Sequence, residues 1–119
     1  MKNKVSEELE ERFVRFGVDV IKRVASRKDL PRSVIDQTTR AATSVGANYC
    51  EAQNAVSKAD FKNKIFIAKK EAAETRYWLR VVEELTNTEL VKDLLAEAQE
   101  IVLILQKITN SLRQTKHDT

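Results

Sequence analysis

Between Val34 and Ala52, small and apolar residues fall at Val34, Thr38, Ala41, Val45, Asn48 and Ala52, in alternating steps of four and three. Those steps keep one side of an α-helix in line. A strand, whose side chains alternate with a period of two, cannot gather them on one face. Three more stretches repeat the pattern. The first holds Leu9, Phe13, Phe16, Val20 and Val24, and the last Leu94, Ala98, Ile101, Leu105, Ile108 and Leu112. Between them lie Phe61, Ile65, Ala68, Ala72, Thr75, Leu79 and Val82, a seam widened by Tyr77, Trp78, Val81 and Leu85. Two glycines and one proline in 119 residues leave little with which to interrupt a helix. Four amphipathic helices joined by short connections predict an all-α fold, an antiparallel up-down-up-down four-helix bundle. Residues 1–119 form one domain in this reading, long enough for one core and too short for two.

The helix ends are marked less uniformly. The first helix is expected to begin near Ser6, with acids in its opening turns and Arg23, Arg27 and Lys28 at its end, complementing the helix dipole. Asp29 is placed to cap a second helix that starts at Pro31, and Ser57-x-x-Asp60 reads as a capping box for the third. Thr86, Asn87 and Thr88 are competing caps for the fourth. Residues 113–119 read as a frayed polar tail. A second stripe on the first helix, Val14, Val18 and Ile21, and the all-round apolar run from Ile101 to Leu105 exceed what one bundle buries. Both predict self-association.

Two features of the second helix are unusual for a packing seam. Asn48 takes a core step, and Gly46 sits in mid-helix, where glycine costs about 1 kcal/mol relative to alanine. Arg40, Ser44, Asn48 and Glu51 then stack into a polar file beside the seam. The file is either a structural network that sets helix register or the wall of a small-ligand pocket. The same stretch carries a family likeness. Ser44-Val-Gly-Ala-Asn48-Tyr-Cys-Glu51-Ala52, Ser57-Lys-Ala-Asp60-Phe61 and Ile67-Ala68-Lys-Lys-Glu71-Ala-Ala-Glu74-Thr-Arg-Tyr-Trp78-Leu79 together resemble the four-helix-bundle family of 23S rRNA intervening-sequence proteins. Many members have proline at the position of Gly46 and glycine at that of Ala52, and this chain has neither. The resemblance implies a homopentameric ring. It also implies that RNA, DNA or a nucleic-acid enzyme such as a reverse transcriptase is a partner, since some relatives serve reverse transcriptases and bind nucleic acid through a basic ring surface. It implies no cofactor.

Residue chemistry offers no catalytic set. The one histidine, His117, lies in the tail, so Glu71 and Glu74 lack the nitrogen ligands of a di-metal carboxylate site. No metal site is expected. Cys50 sits beside the seam with no base in sequence reach, and no glycine-rich phosphate loop is present. The N-terminal residues form no apolar signal core, and no apolar run approaches the roughly 20 residues of a membrane span. A cytoplasmic protein that is not an enzyme is expected. Charge is the remaining lead, at a net +3. Basic residues outnumber acids from Arg12 to Arg32 and again from Lys58 to Arg80, whereas Glu83 to Glu100 is acidic. Arg15, Lys22, Arg23, Lys62, Lys64, Lys69 and Lys70 are therefore candidates to bind nucleic-acid phosphates without reading sequence. In an up-down bundle the basic end of the first helix also meets the acidic start of the fourth, and plain salt bridging competes with that role. The rival function is a scaffold for a protein or small ligand with no nucleic-acid role.

Overall fold

The computed structural model describes residues 3–117, and they form four α-helices: α1 (Lys4–Val24), α2 (Arg32–Gln53), α3 (Lys58–Thr86) and α4 (Lys92–His117). Asn3, not Ser6, opens α1: extended at φ −120°, it accepts the Ser6 N–H on its Oδ1 at 2.8 Å. Ser6 moves into the first turn and is buried. Asp29 caps nothing. Its carboxylate receives the Arg27 guanidinium, and α2 starts behind Pro31 without a side-chain cap. The capping box of α3 forms as expected at one end, with Ser57 Oγ accepting from Asp60 N at 3.0 Å. Its return bond runs one residue further out, from Val56 N to Asp60 Oδ2 at 3.2 Å. Asn87 ends α3 instead of starting α4. It adopts φ 49°, a left-handed conformation that asparagine tolerates better than most residues, and donates its N–H to Glu83 O. No breaker follows Leu112, and α4 continues to His117 through part of the expected tail. Arg113, placed in that tail, lies 5.3 Å from the Phe66 ring centroid. Asp118 and Thr119 lie outside the described residues.

Each helix packs against its neighbour in sequence, and α1 and α4 close the ring with the loosest of the four contacts. The pairs α1/α3 and α2/α4 are diagonal, which is the up-down-up-down arrangement. The bundle is 52 Å long and 22–23 Å across. Its core is built from the expected seams: Phe13, Phe16, Val20 and Val24 of α1, Val45 and Ala52 of α2, Ile65, Ala68, Ala72 and Leu79 of α3, and Ala98, Ile101 and Leu105 of α4 are all buried in one cluster. Small residues on α2 receive large ones from α1. A Cβ at Gly46 would lie 3.3 Å from the Phe13 Cβ, so glycine there allows α1 to approach closely. Thr38 and Thr75, fully buried, each donate to a backbone carbonyl four residues back, at 2.7 Å, leaving no polar penalty in the core.

One core step differs from the expected seam. Tyr49 is buried and sets its ring edge against Phe13 at 5.0 Å, whereas Asn48 is only half-buried. Steps of 45, 49 and 52 satisfy helical periodicity as well as 45, 48 and 52. Burying the larger aromatic surface decides between them.

Several apolar side chains remain in water. Val14, Val18 and Ile21 are 51, 42 and 39 % exposed on α1, and Leu103 is 55 % exposed on α4, the surplus anticipated from sequence. Of the residues expected to widen the α3 seam, Trp78 and Val81 pack against the core, and Tyr77 and Leu85 do not. Tyr77 and Leu85, 59 and 50 % exposed on α3, flank the half-buried Val81 on its outer face. Among the described residues no helix is long and apolar enough to cross a membrane.

Candidate nucleic-acid interface

The helix termini bring the basic end of α1 and the acidic start of α4 together, and they pair. Arg23 forks onto Asp93 with two bonds of 2.8 Å and donates a third to Leu90 O. One α-helical stretch earlier, Arg12 forks onto Glu97 with two bonds of 2.7 Å and reaches Glu100 at 3.1 Å. These two clamps hold the loosest helix pair at its middle and at one end. Arg23 is thereby removed from the phosphate-binding candidates. Lys64 is removed too, because it bridges to Glu51 on α2 at 2.8 Å. Hydrogen bonding to these carboxylates raises the affinity of both cations for their protons.

The remaining candidates divide by helix face. On α3, Lys62 and Lys69 are seven residues apart, and seven more lead to Arg76, a row advancing about 10.5 Å per step along one flank. Arg76 donates to Gln99 and Arg113 covers Phe66, so this flank borders α4. The α4 side chain that Arg76 meets is the neutral Gln99, and Gln106, seven residues on, is hydrogen-bonded to Asn110 of its own helix. Glu71 and Glu74 of α3 lie towards α2, where Arg40 binds Glu71 at 3.3 Å and also Glu74. Lys62 and Lys69 form no ion pair among the described residues, and Glu83, one heptad past Arg76, closes the row with an acid. Lys70 follows Lys69 by about 100° around the helix and stands exposed on the outer face. Arg15 and Lys22 form a separate row on α1, with Arg15 beside the clamped cleft that holds Asp19, Asp93 and Glu97. The seven candidates thus do not share one surface. Lys62 and Lys69 do, and Arg76 and Arg113 join them; the heptad spacing from Lys62 was the available signal for Arg76.

The polar file on α2 is no buried network. Ser44 donates to Arg40 O at 2.8 Å and Asn48 to Ser44 O at 2.9 Å, each bonding its own helix four residues back. Arg40 and Glu51 turn outward to α3. The file is a row of pairs edging the α2–α3 seam. Trp78 adds its indole N–H to Glu74 at 3.2 Å. Cys50 is half-buried with a free thiol. Among the described residues no group of three or more His, Cys, Asp or Glu side chains is arranged to hold a metal.

The Arg23–Asp93 clamp has a pH signature. Its hydrogen bonds from Arg23 lower the Asp93 carboxyl to about 2, below the usual 3.9 or so of an unfolded aspartate. The clamp's contribution is therefore complete above pH 4 or so and is lost as pH falls from there towards 2. With Asp93 65 % exposed, water screens the pair, and Asp93→Asn should cost under about 1 kcal/mol at pH 7. Urea midpoints measured against pH should show the difference between wild type and variant shrinking across that acid window. A difference that stays constant down to pH 2 would mean the fork does not form.

Comparison with known proteins gives the chain its relatives. A crystal structure of a protein of unknown function from the S23 ribosomal protein family of Bacteroides thetaiotaomicron is similar at 32 % identity. It superposes with a TM-score of 0.76 over 84 % of this chain and 96 % of that one. The curated proteins include no match. The model of the 23S rRNA-intervening sequence protein family matches residues 9–107, which take in parts of all four helices, and the chain belongs to that family.

Proposed function

We propose that this protein is a non-enzymatic, self-associating bundle that binds nucleic acid through phosphate contacts, without reading sequence. One observation carries the proposal: Lys62, Lys69 and Arg76 run along the α4 flank of α3, with Arg113 of α4 beside them over Phe66, while Glu71 and Glu74 are bound by Arg40 on the α2 side. Such a row attracts a polyanion by releasing its condensed counterions. Phe66, the aromatic on this flank, lies under Arg113, which favours backbone over base contacts. The family is named for an intervening sequence of 23S rRNA, so structured RNA is the first probe.

Self-association multiplies the row. The apolar stripes of α1 and α3 lie on diagonal helices and so leave the bundle on opposite sides. Two unlike patches on opposite sides join copies head to tail, which closes into a ring when the rotation permits. A ring of five is the size implied by the family likeness. Several copies of a weak phosphate site on one ring then bind a long polyanion far more tightly than one copy does.

The decisive measurement is affinity for mixed-sequence RNA against salt concentration. Log affinity should fall linearly with log salt, and neutralising Lys62, Lys69 or Arg76 singly should lower that slope by about 1 each. Lys62→Glu with Lys69→Glu and Arg76→Glu should abolish binding, while Arg15→Glu with Lys22→Glu should weaken it less. Binding that survives the triple reversal in an intact oligomer would refute the proposed surface. An absence of salt-dependent binding by the wild type would refute the function.

A further inference from the structure

We propose that the cleft between the N-terminal half of α1 and the C-terminal half of α4 binds a small carboxylate with an unbranched apolar tail, a ligand of the fatty-acid class. The cleft follows from the bundle's loosest contact. Arg12 clamps the middle of α1 to Glu97 and Glu100 of α4, and the cleft lies on its N-terminal side. There the helices border a groove of about 480 Å³, within the size range of small-molecule sites. Its walls are Val5 and Leu9 from α1, Phe61 from α3, and Ile104 and Ile108 from α4.

Two observations select an acidic ligand over a neutral one. Ser6 and Tyr49, 8 and 3 % exposed, line the groove and share one hydrogen bond at 3.1 Å. Two hydroxyls joined by one bond use one proton, and the second has no acceptor among the described residues. A buried donor left in that state is costly, and a carboxylate oxygen satisfies it. The second observation is charge. Lys107 is the one cation among the lining residues, no lining residue is acidic, and its ammonium has no hydrogen-bond or ion-pair partner among the described residues. A surplus hydroxyl proton and an ammonium without a partner among the described residues, around aliphatic walls, match a carboxylate head on a hydrocarbon tail. The site is distinct from the α3 cation row and does not depend on nucleic-acid binding.

The test titrates the intact protein with decanoate, 1-decanol and decyltrimethylammonium below their micellar concentrations, read by methyl NMR and by calorimetry. Decanoate should shift the Leu9, Ile104 and Ile108 methyl signals saturably, and decyltrimethylammonium should not. Lys107→Met keeps the aliphatic stem and should weaken decanoate about tenfold, the worth of a charge-assisted bond, while leaving 1-decanol unchanged. Tyr49→Phe should weaken decanoate severalfold with the fold retained, and Lys107→Met carries the test if that variant unfolds. The proposal is overturned if 1-decanol binds as tightly as decanoate, or if Lys107→Met leaves decanoate affinity unchanged. It is equally overturned if decanoate lowers the mass of the assembled protein, because a neighbouring copy then fills the groove.

Discussion

Phe13→Ala is expected to destabilise the fold by about 3–5 kcal/mol, the usual cost of emptying a buried phenylalanine site. Phe13 is 1 % exposed, sits beneath Gly46 and packs its ring edge-to-face with Tyr49, so removing the ring takes away the aromatic contact at the centre of the α1–α2 seam. The cavity cannot close easily. The nearest α2 backbone already approaches the Phe13 Cβ, and that atom remains in alanine. A domain of this size has about 5–15 kcal/mol to lose, so the variant should approach the limit of folding. Phe13→Leu, which keeps most of the volume, is the control and should cost far less. Urea unfolding followed by circular dichroism measures both. A shift in midpoint worth less than about 1 kcal/mol for Phe13→Ala would mean that the α1–α2 layer does not close over this ring.

The second large effect is on assembly. In a head-to-tail ring every joint uses one α1 stripe and one α3 stripe, so a charge in either stripe strikes every joint. Val18→Glu alone and Val81→Glu alone should each reduce the protein to its 13.6 kDa monomer, because an unpaired carboxylate in an apolar joint costs several kcal/mol. Mixed together, the two variants retain one intact combination, the α3 stripe of the Val18→Glu copy with the α1 stripe of the Val81→Glu copy. The mixture should therefore form dimers of one copy of each and nothing larger. Light scattering on the separate and mixed samples reads all three outcomes. If α1 instead pairs with α1, Val81→Glu alone stays assembled, and the ring arrangement fails. Monomeric variants should also bind RNA with a much reduced affinity, since the multiplied site is gone while each row of cations is unchanged.

The four helices and the residues of their seams were legible in the sequence because helical periodicity is local. Phe13, Val45, Ala68 and Ile101 are buried for reasons contained within seven residues on either side of each. The family likeness was legible for the same reason, since it rests on contiguous motifs around Asn48 and Trp78. Local rules reached their limit where two local solutions compete. Asn48 and Tyr49 both satisfy the α2 seam, and the Phe13 ring from another helix settles the choice. Asp29 and Ser6 both had the chemistry of a cap, yet Arg27 holds the first and Tyr49 the second.

Charge shows the same boundary more sharply. Composition and order alone made Arg15, Lys22, Arg23, Lys62, Lys64, Lys69 and Lys70 equivalent. The angle at which each leaves its helix, and the carboxylate it meets there, separated them: Arg23 and Lys64 are consumed, while Lys62 and Lys69 stand beside Arg76 and Arg113. Which cations keep their charge for a partner depends on how four helices are rotated and slid against one another. That arrangement minimises the energy of the whole core at once, and no stretch of sequence contains it. The sequence by itself determined that this chain is a four-helix bundle with more apolar surface than one copy buries. Only the tertiary structure decided where the unpaired charge and the open cleft lie, because both are what remains after the helices have satisfied one another.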